Sequence, residues 1–321
     1  GDEQDFDAID RLRRLSEKKE DWPRVATLLA RLIEVEGDEE EASEMTRQLA
    51  SIYRDELEQG DMALKVLEKR ADEGDVACQQ AYEQLGIELG WKGIVAQKLV
   101  QWNESVAGTS RSAALRRSFE LFLEVERDAD ARTVALDLAR SKDCDVEMAR
   151  QLEGIAERLE DLDALAVAHD IIGKSLTGMD RAEEYVRQAE VMARAGADPL
   201  DAIQHGELAL SGIEPDQAQE LLSRLAALTQ APGHVIDLYE RQVNRCKRPQ
   251  DRVAALAAAA QVAAGCGAVD RAREFFNYAL SGGVNEDTLI QLEDAARVAD
   301  QSAGGSGRLL RPLADQHERQ A

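Results

Sequence analysis

Residues 82–89 read Tyr-Glu-Gln-Leu-Gly-Ile-Glu-Leu, and residues 267–279 carry Gly267, Ala272, Phe276 and Ala279. On a helix of 3.6 residues per turn, Tyr82, Leu85, Gly86 and Leu89 share one face. A small residue at Gly86 lets a paired helix approach closely, while its large neighbours fill the space above and below. The second stretch gives a turn glycine, a close-contact alanine, a large knob and a second alanine. The first scheme recurs at Thr46-x-x-Leu49-Ala50-x-x-Tyr53 and Leu152-x-x-Ile155-Ala156-x-x-Leu159. Weaker copies are Leu222-x-x-Leu225-Ala226-x-x-Thr229 and Leu256-x-x-Ala259-Ala260-x-x-Ala263.

Outward from these stretches, apolar residues keep the helical period almost throughout, and breaks carry Gly or Asp. Pro23, Pro199, Pro215 and Pro249 sit where helices should begin, since the first turn needs no N–H from the ring. Turns fall near residues 20, 60, 90, 127, 161, 197, 231, 267 and 304, about 35 residues apart on average. Two helices per period of this size make a solenoid, in which each hairpin completes its core only against its neighbours.

The pattern resembles the tetratricopeptide repeat, W-x-x-L-G-x-x-Y followed by a glycine turn and A-x3-F-x2-A. The resemblance covers residues 8 to 300 and is clearest at Tyr82–Leu89 and Gly267–Ala279. Phe119 and Phe122 stand where small residues are expected, Gly206 takes a bulky second-helix position, and the closing proline of many repeats is mostly missing. The expected fold is all-α: a right-handed superhelical solenoid of about eight helix-turn-helix repeats over residues 1–301. A Gly/Ser-rich linker at 302–307 and a C-terminal helix or cap at 308–321 follow it.

The chain has 321 residues, with 39 Lys plus Arg against 63 Asp plus Glu and a formal charge of -24. Up to Asp75 alone, 23 acidic residues face 12 basic ones. Nucleic acid is therefore not an expected partner, because like charge repels the phosphate backbone. Only 4% of residues are aromatic and alanine and leucine dominate, a helix composition. No stretch has the ~20 apolar residues of a membrane span. Cys78, Cys144, Cys246 and Cys266 are widely spaced, without a C-x-x-C pair, so a reducing, cytoplasmic setting is expected; because the chain starts at Gly1, a removed leader stays open.

Chemistry is faint at this level. His169, His205, His234 and His317 are isolated, with neither H-E-x-x-H nor cysteines at ligand spacing. The expectation is no enzyme, no metal and no cofactor. Gly304-Gly305-x-Gly307 lacks the Lys-Ser/Thr of a phosphate loop and reads as linker. Trp22, Trp91 and Trp102 read as inter-repeat core rather than a ligand platform.

A solenoid without an enclosed pocket suits the holding of an extended segment or another fold, and the resemblance implies protein binding too. The expected function is a protein or peptide interaction scaffold; the alternative is a regulatory or sensor module of a larger enzyme or signalling protein. Positions 2, 5, 9 and 12 of the family's first helices line its concave groove. Carried over here, they nominate Glu44, Arg47, Arg54, Gln80, Glu83, Arg150, Glu153, Glu157, Glu160, Glu183, Glu190, Glu220 and Gln261. Ser51, Ile87, Gly90, Val186, Ala193, Ser223, Ala227, Gln230, Ala254, Ala257 and Ala264 complete the set. The groove should be negative in its middle and smooth and apolar toward its C-terminal end, so the fitting partner is basic or amphipathic. Asn103, Asn244 and Asn277 fall on second helices and Asn285 on a turn, away from the family's carboxylate clamp, so capture of a chaperone's C-terminal tail is not expected. Oligomeric state is left open.

Overall fold

In a computed structural model the described residues are 2–282, apart from 211, 212 and 214, together with 290, 292, 293, 296 and 297. The sequence-derived linker at 302–307 and cap at 308–321 lie outside them. The chain divides into two units, Gly1–Asp143 and Cys144–Ala321. Unit one holds α1 (Asp2–Glu17), α2 (Trp22–Val35), α3 (Glu39–Ser51), α4 (Gly60–Asp72), α5 (Val76–Glu88), α6 (Lys92–Trp102), α7 (Thr109–Glu124) and α8 (Asp128–Arg140). Unit two holds α9 (Val146–Arg158), α10 (Leu162–Ser175), α11 (Gly178–Arg194), α12 (Pro199–Ala209), α13 (Pro215–Ala226), α14 (Pro232–Arg245), α15 (Pro249–Gly265) and α16 (Val269–Ser281). Among the described residues there are no strands, and the helices pair as eight hairpins, as the period predicted.

The helices start and stop for local reasons. Asp38, Asp75, Asp145 and Asp161 accept hydrogen bonds from the first-turn amides of α3, α5, α9 and α10. Such caps satisfy donors that have no partner within the helix. Prolines open α12, α13, α14 and α15, and Pro23 lies in the first turn of α2. Most turns inside a hairpin close the same way, with a backbone N–H reaching the carbonyl five residues earlier. These bonds run from Asp21 to Ser16, Trp91 to Gly86, Arg127 to Phe122, Asp161 to Ala156, Ala197 to Met192 and Ala268 to Ala263. The residue before each adopts, or is suited to, the left-handed conformation: Glu20, Gly90, Glu126, Glu160, Gly196 and Gly267 all have positive φ. This is the Schellman closure.

The α3–α4 turn departs from the rule. After Ser51 the chain makes a π-helical turn, Ile52–Glu56, and the Gln59 amide reaches back six residues to Tyr53. The turn thus arrives late, which accounts for the uneven spacing of breaks near 20, 60 and 90.

Packing follows the small-residue scheme. A Cβ at Gly86 would sit 2.3 Å from Val95 Cγ2 of α6, so only glycine admits that approach. Ala50, Ala156 and Ala260 are buried at the corresponding places. Gly206, bulky in the family pattern, is compensated: a Cβ there would lie 2.6 Å from Leu225 Cδ2 and 3.3 Å from Ala189 Cβ, so Leu225 of α13 fills the space. In α7, Phe119 and Phe122 are both buried and supply ring volume where other odd helices use Gly or Ala. Within each unit, successive odd helices approach one another, α3 with α5, α11 with α13 and α13 with α15.

The tryptophans are not the core expected of them. Trp91 precedes α6 and is exposed, and Trp102 is partly buried, set edge-on to Tyr82 at 5.3 Å. Trp91 sits at the tip of a hairpin, where no neighbouring element covers it. Trp102 is tethered by its indole N–H, which donates to Asp72 Oδ1 at 2.7 Å. Burial pushes the Asp72 carboxyl up, but this bond and those from Lys98 outweigh it and hold it below the usual range.

Candidate functional site

The thirteen nominated surface residues lie on odd helices or in the turns that end them, and none of them is buried. Three companion positions are not on any surface: Val186, Ala257 and Ala264 are fully buried. At these three positions the face counted from the motif is the buried one. α15 is buried nearly all round, with Ala254 and Gln261 on its open side. The apolar C-terminal face expected from the sequence is therefore core in large part.

Among the surface residues, ion pairing separates two groups. In unit one, Glu44 pairs with Arg47 on its own helix at 2.6 Å, and Arg54 pairs with Asp55 at 2.6 Å while lying 3.7 Å from Glu88. Glu83 receives Arg117 Nε of α7 at 2.9 Å. In unit two, Glu190 on α11 receives both Nε and Nη2 of Arg224 on α13, at 2.7 and 2.8 Å. Hydrogen bonding to these carboxylates holds the Arg117 and Arg224 guanidiniums more firmly protonated than usual. Both arginines stand 34 positions after their carboxylates, close to one repeat. The even helices carry the same device. Arg241 on α14 donates Nε to both oxygens of the buried Glu207 on α12, and Arg245 Nη2 lies 2.9 Å from Glu207. Arg271 on α16 pairs with Glu240 on α14.

The second group is unbridged. Gln80, Arg150, Glu157, Glu160, Glu220 and Gln261 are exposed, and their side chains make no hydrogen bond or ion pair among the described residues. Glu183 has only Arg187, one turn along its own helix. Glu157 and Glu160 are neighbours at the C-terminal end of α9, where the partial negative charge of a helix end adds to their own.

Glu153 behaves differently again. Its Oε1 lies 3.9 Å from His169 Nδ1 on α10, and that nitrogen donates to Glu184 Oε1 on α11 at 2.6 Å. His169 and Glu184 are 5% and 6% exposed. The three donor atoms lie within 4.8 Å of one another. Sequence reading held the histidines to be isolated. Three successive helices bring 153, 169 and 184 together, and spacings of 16 and 15 residues correspond to no linear motif. The signal available was weak: a polar residue at a core-facing position, Glu184, between Ala182 and Tyr185.

Two of the thiols are not activated nucleophiles. Cys78 is fully buried, 3.9 Å from Ser43 Oγ, and burial together with the Asp75 charge pushes its thiol up to about 11. Burial also raises the Cys246 thiol. No disulfide joins the four cysteines. A cleft of about 470 Å³ near Cys78 is lined by residues that include Glu39, Glu40, Ser43, Arg47, Arg70, Glu73 and Asp75. Within it Arg70 pairs with Glu39 and, at 3.3 Å, with Asp75. No helix of the described residues is long and apolar enough to cross a membrane. Asn244 and Asn277 lie on the even helices α14 and α16 and Asn103 ends α6, as placed from the sequence, while Asn285 lies outside the described residues.

No family model matches the chain, and no curated protein does. Solved structures similar to it include Naa15/Naa10 bound to HypK-THB, at 13% identity and a TM-score of 0.29, covering 94% of this chain and 51% of that one. A tetratricopeptide repeat protein from Parabacteroides merdae ATCC 43184 is similar at 12% identity and a TM-score of 0.28, covering 94% and 99%. The APC/C hetero-tetramer Cut9–Hcn1 is similar at 12% identity and a TM-score of 0.26, covering 95% and 64%. The chain spans about half the length of the first of these.

Proposed function

We propose that this helical-repeat chain is a non-catalytic scaffold that binds a basic or amphipathic protein segment, and that the acidic end of α9 is its principal contact. The observation that carries the reading is that Glu157 and Glu160 are exposed and make no ion pair among the described residues, with Arg158 beside them in the last turn of α9. Elsewhere on the odd helices Glu83 and Glu190 are met by arginines from the next repeat. Carboxylates left unbridged on the surface are suited to receive charge from outside. The raised Cys78 and Cys246 thiols support the non-catalytic part of the reading, since a protonated thiol is a poor nucleophile.

The test uses the full chain and a panel of fluorescent amphipathic helical peptides that differ only in bearing lysines or glutamates on the polar face. Lysine peptides should bind, and affinity should fall as salt shortens the screening length toward ~8 Å. Glu157→Lys with Glu160→Lys should abolish the preference while leaving the melting temperature in place. Equal binding of both peptide series, or binding unchanged in the double variant, would remove the proposal.

A further inference from the structure

The geometry points to a divalent metal site formed by Glu153, His169 and Glu184, with Zn²⁺ as the ion class that its donors suit. The site links α9, α10 and α11 within the second unit and does not depend on the docking surface above.

His169 and Glu184 are more than nine-tenths buried, and Glu153 is partly buried, so the cluster opens to solvent on one side only. Two carboxylates held this close repel each other, and a single imidazole, neutral or protonated, leaves the cluster with net negative charge. The neighbouring cation is Arg187, whose Nη1 lies 3.7 Å from Glu184 Oε2. It faces the oxygen of Glu184 that points away from the histidine, so Oε1 is the one left for a ligand. A dication placed among Glu153 Oε1, His169 Nδ1 and Glu184 Oε1 offsets the repulsion and replaces the short His169–Glu184 hydrogen bond.

Donor spacing fits the ion. At metal–ligand lengths of about 2.0–2.2 Å a tetrahedral ion holds its ligand atoms roughly 3.4 Å apart. The observed 2.6 Å from His169 to Glu184 must open somewhat, and the 3.9 Å from Glu153 to His169 must close by about half an ångström. Rotations of the two glutamate side chains are enough for both. The donor set of one imidazole and two carboxylates suits zinc, while calcium and magnesium favour oxygen donors alone. The fourth position lies on the solvent side by Glu153 and takes water. The packing around the site is ordered: Gln188, one turn along from Glu184, donates to the Ala166 carbonyl at 3.1 Å and accepts from His205 Nε2 at 2.6 Å. These bonds fix α11 against α10 and α12 and hold Glu184 in place.

The test is calorimetric titration of the chelator-stripped full chain with ZnCl₂, with elemental analysis for stoichiometry and Co²⁺ substitution for a visible absorption signature. One saturable ion per chain is expected, with a rise in melting temperature. Glu153→Gln is the decisive variant because Glu153 is partly exposed and its loss leaves the core intact. It should weaken Zn²⁺ by about a hundredfold or more, at or beyond the ~10–100-fold cost of losing an outer partner. His169→Asn should abolish the Co²⁺ spectrum, with circular dichroism reporting whether that variant folds. Three results would overturn the assignment: no saturable ion, several weak ions unaffected by Glu153→Gln (an adventitious ion only), or a His169 imidazole that titrates identically by NMR with and without Zn²⁺.

Discussion

The end of α9 and the stretch from α11 to α14 are built from the same residue types and use them in opposite ways. At the end of α9, Glu157 and Glu160 are exposed and make no ion pair among the described residues. On α11 and α12, Glu190 and Glu207 are each taken up by arginines from about one repeat later. A glutamate on a repeat surface is thus either a fastener between hairpins or a free charge, and helix position does not say which. Glu83 and Arg117, Glu190 and Arg224, and Glu207 and Arg241 are each 34 residues apart. Arg194 also stands 34 residues after Glu160, yet the two make no ion pair among the described residues, so spacing alone does not decide either.

The contrast breaks most visibly at Glu207. Removing both Arg241 and Arg245 leaves a carboxylate that is 3% exposed with no compensation. The double alanine variant should lose about 3–5 kcal/mol, the usual cost of stripping a buried charge of its partner. Urea unfolding followed by circular dichroism measures it. A loss within the noise would mean that Glu207 takes up a proton or water at little cost.

A smaller effect tests whether the two regions differ in tightness as well as charge. Gly206→Ala drives a Cβ into Leu225, and should cost about 1–3 kcal/mol by overpacking. Gly154→Ala on α9 meets nothing nearer than Arg158 Nη1 at 3.7 Å, and should instead stabilise by about 0.5–1 kcal/mol. Two shifts of the same sign would erase the distinction between a packed and an open face.

The smallest expected effect sharpens the comparison. A double-mutant cycle on Glu190 and Arg224, both about a third exposed, should give a coupling of about 0.2–1 kcal/mol that shrinks in salt. Glu157→Gln should leave stability within about 0.5 kcal/mol of the parent. Equal costs at the two positions would show that the bridge contributes nothing.

Much of the fold was legible because it is local. Asp38, Asp75, Asp145 and Asp161 announce helix starts by their own side chains, and Gly90, Gly196 and Gly267 announce ends by their conformational freedom. Gly86 declared a close approach because nothing larger fits above Val95. The candidate site was far less legible. Its partners converge from separate helices, as His169 does with Glu153 and Glu184, and no spacing rule spans helices whose lengths vary from 11 to 17 residues. Val186, Ala257 and Ala264, counted as groove positions, are buried instead. The turns near 20, 127 and 161 were placed from the helical period although Glu20, Glu126 and Glu160, and not glycine, take the left-handed position there.

The π-helical turn at Ile52–Glu56 carries a consequence for how such a chain tolerates change in length. Between Asp21 and Trp91 the chain takes up length in a wider helical turn and keeps the connection that follows it, 57–59, short. Ile52, Tyr53 and Leu57 still lean on the cluster formed by Ala26, Leu29, Leu32 and Leu49. In an array where every hairpin is the wall of the next, an inserted residue is least disruptive where it can be wound up. Lineages of this chain should therefore record small insertions as bulges within α3-like helices, with the hairpin tips kept short.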